Sequence, residues 1–147
     1  MSYDFSRLSD ILIAYALALP LGIERERSEH TAGIRTFPLV AIATCGFLMA
    51  AADLKKEHAD VVSRVLQGVV AGMGFIGGGA ILKTGDSVIG TATAAGLWGT
   101  AAIGACVGMH SYDIAIALSV LSFLTLHALK RYTHEPEAGA GKRASKT

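Results

Sequence analysis

Five stretches of this chain carry no Asp, Glu, Lys or Arg, and their lengths decide what it can fold into. They run Ile11–Ile23, Thr36–Ala52, Val65–Leu82, Ser87–Tyr112 and Ile114–Leu129 in a chain of 147 residues. A helix needs roughly 20 apolar residues, range about 17–25, to cross a hydrocarbon core about 30 Å thick. The second, third and fourth stretches reach that length unaided. The first reaches it as Leu8–Ile23, which takes in Asp10; Arg7 then stands one turn away, placed to pair with Asp10 at the interface. The fifth reaches it as Tyr112–Arg131, where Lys130 and Arg131 can snorkel to the headgroups. With 52% of residues hydrophobic and 17% charged, too little polar surface remains to coat a soluble bundle. The expected fold class is all-α: a polytopic transmembrane helical bundle of about five spans, with helices three and four rich in glycine.

The expected helices are Leu8–Ile23, Thr36–Ala52, Arg64–Leu82, Thr91–Met109 and Tyr112–Arg131. Residues 1–132 form the membrane domain. Residues 133–147, with Pro136, Gly139, Gly141 and several charges, read as a flexible cytoplasmic tail. No basic segment precedes the first apolar run and no cleavage site follows it, so a signal peptide is not expected. An odd number of spans puts the two ends on opposite sides, and Lys/Arg bias sets which is which. With the N-terminus outside, nine cations fall on the cytoplasmic side: Arg25, Arg27, Arg35, Lys83, Lys130, Arg131, Lys142, Arg143 and Lys146. Four (Arg7, Lys55, Lys56, Arg64) fall outside. The expected setting is a bacterial inner membrane, N-terminus outside and C-terminus cytoplasmic, with the lipid bilayer as first partner.

A formal charge of +1 gives no field to hold nucleic acid. The run Gly72–Gly77 spells GxGxxG, but it sits inside an apolar helix with no strand before it, so it is not a dinucleotide fingerprint. No catalytic constellation is apparent, and the chain is not expected to be an enzyme. The five histidines are scattered, and Cys45 and Cys106 lie in separate spans. Among cofactors only Mg²⁺ has candidate ligands, in Glu24, Glu26 and Asp10.

Twelve of the seventeen glycines lie between Gly68 and Gly108. Gly68 and Gly72, and Gly74 and Gly78, are GxxxG pairs. Ala92, Gly96, Thr100, Gly104 and Gly108 recur every fourth residue. Apolar burial gives helices in lipid little reason to associate, so close backbone approach must supply the attraction. These residues are therefore expected at helix contacts, within the chain or at a homodimer seam. Gly77-Gly78-Gly79 costs roughly 1 kcal/mol per glycine against alanine in a helix interior. A kink or unwound turn is expected there.

Gly22-Ile23-Glu24-Arg25-Glu26-Arg27 closes the first span, and Arg35-Thr36 opens the second. Acids directly after an apolar span need partners. Arg35 is expected to reach back to Glu24, making a polar cluster of Glu24, Arg25, Glu26, Arg27, Arg35 and Thr36 on the cytoplasmic face. An alternating acid–base run can equally be a solvated face or offer carboxylates to Mg²⁺.

Three blocks resemble the MgtC/SapB family of membrane proteins. GIERERSEHTAGIRTFPLV, Gly22 to Val40, is similar to the family's GxERE…AGxRTxxLV. Gly74–Ile81 (GFIGGGAI) and Gly90–Trp98 (GTATAAGLW) resemble its two later motifs. Together they cover about residues 8–131. Thr91, Ala92 and Gly96 depart from the pattern, and at position 92 a polar Thr or Asn is replaced. The resemblance implies a helical inner-membrane domain of four or five spans, in the short form without the cytoplasmic ACT-like domain of longer members. It also implies a role in adaptation to low magnesium and in survival inside host cells. Some members are regulators of membrane machines such as the F-type ATP synthase. The resemblance thus points to a non-enzymatic regulator, with a transporter or channel for Mg²⁺ or another cation as the alternative.

Overall fold

The computed structural model describes residues 5–28, 32–54, 60–85 and 87–128. They form five helices: α1 (Phe5–Ser28), α2 (Thr36–Leu54), α3 (Val61–Gly79), α4 (Thr91–Gly108) and α5 (Tyr112–Ala128). Strands β1 (Leu82–Thr84) and β2 (Ser87–Ile89) pair antiparallel between α3 and α4. The all-α bundle is as the uncharged stretches require. The tail from residue 133, most of the loop between α2 and α3, and the last turn expected of α5 lie outside the described residues.

Three helices, α1, α2 and α3, are long and apolar enough to cross a membrane by themselves, and α5 is a shorter apolar helix. The fourth is different. Helix α4 is built largely of Gly, Ala and Thr, buries ten residues and touches all four other helices. Small residues on such a central helix let its neighbours approach closely.

The small-residue stripe of α4 lies on α2, which runs parallel to it. Gly96 sits under the Phe37 ring, where a Cβ would be 3.0 Å from Cε1. A Cβ at Gly104 would fall on the Ala41 carbonyl oxygen and 2.9 Å from its carbonyl carbon. One at Gly108 would be 2.7 Å from the Cys45 carbonyl oxygen. Thr100 completes the stripe, fully buried, its hydroxyl donating back to Gly96 O at 2.8 Å. Gly77 of α3 makes an ordinary contact with Ala94.

The other α3 glycines do not follow. A Cβ at Gly68, Gly72, Gly74, Gly78 or Gly79 would meet nothing within 4 Å. The expectation that these five pack against another helix of the chain is corrected: α3 lies on the outside of the bundle, with only Met73 and Gly77 buried. The glycine triplet does not unwind a continuing helix either. It ends α3 three residues early, because Ala80 and Ile81 donate to the Gly77 and Gly78 carbonyls in a closing turn. Those carbonyls are therefore not free for a cation.

A hairpin of β1 and β2 follows, where the sequence marks no strand. Lys83 pairs with Val88, and Gly85 at φ +62° supplies the positive φ that a two-residue connection demands. Gly90 closes the hairpin at φ +87°, and a side chain there would strike the Ala80 carbonyl.

Candidate functional site

Helix α1 runs five residues past its uncharged stretch, so Glu24, Arg25 and Glu26 are helical and point in three directions about 100° apart. Each fastens a different element. Glu24, 5% exposed, accepts a hydrogen bond from His127 Nδ1 of α5 at 3.2 Å. Arg25, 4% exposed, donates from Nε and Nη2 to the hydroxyl of fully buried Thr93 in α4, at 3.2 and 3.0 Å. Glu26 accepts the Ile34 backbone N–H at 3.1 Å, just before α2.

Two glycines make that junction possible. Gly33 lies against Glu26, where a Cβ would collide with the carboxylate and come 2.9 Å from Cα. Gly22 faces the same loop, with a built Cβ 3.1 Å from Ile34 Cα. The Gly33 carbonyl then accepts the amides of Thr36 and Phe37 and starts α2. In this chain the GIERE…AGIRT residues form a close crossing of α1 with the entry to α2, and a buried cation reaching α4.

The expected partnership of Glu24 with Arg35 is not what forms. Arg35 is exposed and faces a groove between α2 and α3, while Glu24 is held by α5. Arg27 is exposed, with Glu24 and His127 beside it around a cleft between α1 and α5 of about 330 Å³. Thr36 is half-buried at the start of α2. The expected six-residue cluster therefore divides: Glu24, Arg25 and Glu26 tie helices, Arg27 lines the α1–α5 cleft, and Arg35 and Thr36 line another groove. His127 and Thr93 are the partners that sequence reasoning missed. Thr93 lay in the third motif block, and a buried arginine must find an acceptor, but nothing in the sequence said which.

Asp10 belongs to the opposite end. It stands 14 residues before Glu24 in one helix, about 21 Å away by helical rise. Buried at 3% exposure, it accepts the Tyr112 hydroxyl at 2.6 Å, and that hydroxyl is 2.9 Å from His110 Nδ1. The expected Arg7–Asp10 pair does not form, because Arg7 instead makes a two-pronged bridge to Asp53 of α2 at 2.7 and 2.5 Å. Asp10, Glu24 and Glu26 are thus not gathered as metal ligands. Among the described residues no group of three His, Cys, Asp or Glu is placed to hold an ion.

Between the two ends, Ser119 of α5 donates to Leu17 O of α1 at 2.7 Å. The seam of α1 with α5 is therefore polar at three levels: Asp10–Tyr112, Leu17–Ser119 and Glu24–His127. The levels recur about every seven residues, the repeat at which parallel helices keep one face together.

The sequence matches the MgtC family over residues 11–135. It is 38% identical over 133 residues to Protein SrpB of Synechococcus elongatus, covering 82% of this chain and 73% of that one. It is 36% identical over 132 residues to "Putative magnesium transporter YhiD" of Escherichia coli strain K12, covering 83% and 60%. It is 30% identical over 143 residues to Protein MgtC of Salmonella typhimurium strain LT2, covering 95% and 61%. The matches thus span about three-fifths of the latter two relatives. No solved structure matches. Three apolar spans, a small-residue core helix and a match across most of its length lead to one assignment: the chain is a membrane protein of the MgtC family.

Proposed function

We propose that this protein is a non-enzymatic regulator of magnesium homeostasis in a bacterial inner membrane, N-terminus outside. It acts at the cytoplasmic end of the bundle, where Glu24, Arg25 and Glu26 tie α5, α4 and α2 to α1. Its partners are membrane proteins, with the F-type ATP synthase as the first to test, and the reading includes adaptation to stress or a host.

The observation that carries this is the placement of charge. Among the described residues, the buried carboxylates are Asp10 and Glu24, near opposite ends of α1, and each is occupied by a side chain of α5. The buried polar side chains between them are the hydroxyls of Thr44, Thr100 and Ser119. A path for a divalent ion calls for rings of carboxylates or dense carbonyls. A bundle fastened at its ends and packed tightly through its middle suits a binding scaffold better than a conduit.

Mg²⁺ uptake into liposomes containing the purified protein tests this. Uptake no faster than in protein-free liposomes is expected. Co-reconstitution with ATP synthase should change ATP-driven proton pumping, and Arg25→Gln should abolish that change. Saturable Mg²⁺ uptake would establish the transporter alternative.

A further inference from the structure

The glycines of α3 that touch no other helix leave a space with a definite shape. Gly68 and Gly72 line an open groove of about 570 Å³ between α2 and α3, walled by Val40, Phe47, Val69 and Ile76. It reaches from Arg35 and Thr36 to Phe47 along α2, and from Ile76 to Val65 along α3. Eleven residues of helix rise about 16 Å, roughly half of a 30 Å hydrocarbon core, so the groove is as deep as one leaflet. Its lining is apolar but for Thr44 inside it and Arg35 and Thr36 at its mouth. Arg35 is exposed and has no ion pair among the described residues.

We propose that this groove holds one anionic phospholipid, with an acyl chain laid over Gly68 and Gly72 and its phosphate on the Arg35 guanidinium and Thr36 hydroxyl. Arginine presents planar paired donors to phosphate oxygens, and Thr36 adds a hydroxyl at a helix N-terminus, where negative charge is favoured. The apolar trough beneath fits a hydrocarbon chain, and the missing side chains at positions 68 and 72 give it room. A lipid anion both fills the trough and answers the charge of Arg35, whereas an apolar helix of a second copy would do only the first. This inference does not depend on the regulatory reading.

Native mass spectrometry of the detergent-purified full chain tests it, with phosphatidylglycerol and phosphatidylcholine of identical acyl chains. The expected result is a single phosphatidylglycerol adduct, retained about fivefold or more over phosphatidylcholine, the effect of one basic residue at an anionic surface. Arg35→Gln should bring phosphatidylglycerol down to the phosphatidylcholine level, and Arg35→Lys should restore part of the preference. Gly72→Leu should weaken both adducts by filling the trough. Gly68→Ser, a smaller change, should do so to a lesser degree if the leucine variant fails to fold. Equal retention of the two lipids by the unaltered chain, or a preference that survives Arg35→Gln, overturns the proposal. So does a lipid-free dimer that Gly72→Leu dissociates, which would make a second copy the occupant.

Discussion

Glu24 and Arg25 are neighbours in sequence with different partners, and each can be tested alone. His127 is 64% exposed, so its bond to Glu24 is worth about 0.5–1 kcal/mol at most. A thermodynamic cycle of Glu24→Gln with His127→Gln, read by unfolding of the purified protein, should show coupling of that size. The cycle of Glu24→Gln with Arg35→Gln should be additive, because the two side chains serve different surfaces. Coupling in the second cycle but not the first would restore the pairing expected from sequence. Arg25→Gln should be the most damaging of these changes, since it alters a cation buried against Thr93 at the closing end of three helices. The motif letters announced that this junction matters. They did not announce the partners, because Thr93 lies 68 residues beyond Arg25 and His127 lies 103 beyond Glu24.

Helices α3 and α4 carry the same small-residue spacing and use it oppositely. On α4 the missing side chains let α2 come within backbone contact; on α3 they leave open space. Periodicity is a property of one helix, whereas a contact needs a second surface, so spacing alone could not tell the two apart. Alanine substitutions separate them. Gly104→Ala should cost about 1–3 kcal/mol by driving a methyl into the Ala41 carbonyl. Gly72→Ala should be neutral or stabilising by up to about 1 kcal/mol, through helix propensity with nothing to strike. Thermal unfolding in one detergent measures both, and equal losses would mean that α3 is packed in the protein as purified. The β1–β2 hairpin was missed for a different reason. Its strands are three residues each, too short for alternation to register, and only the glycines at its turn and exit marked it.

For the whole molecule, the helix count and order were legible because absence of charge over a membrane's thickness is a strong constraint. The end-to-end arrangement of the polar contacts was not, because it depends on α5 lying parallel to α1, which no local pattern states. Asp10 shows this well: Arg7 was the nearest cation in sequence, but the fold brings Tyr112 to it from 102 residues away.

The bare glycine face of α4 also bears on how the protein is made. A stripe without side chains offers lipid little to pack against, and its attraction is realised only when another helix lies on it. The turn after it is short and well defined: Ser111 N–H closes onto Cys106 O, and His110 adopts a left-handed conformation at φ 59°. Helices α4 and α5 are therefore expected to settle in the bilayer as one hairpin, once α1 and α2 are there to receive the bare face of α4. A chain ending at Met109, released from the ribosome and carrying Cys45→Ala, should leave α4 accessible to a water-soluble cysteine reagent at Cys106. Extending it through Ala128 should protect that thiol. Protection in the shorter chain would mean that α4 enters the membrane without help, and biosynthesis would then run strictly in sequence order.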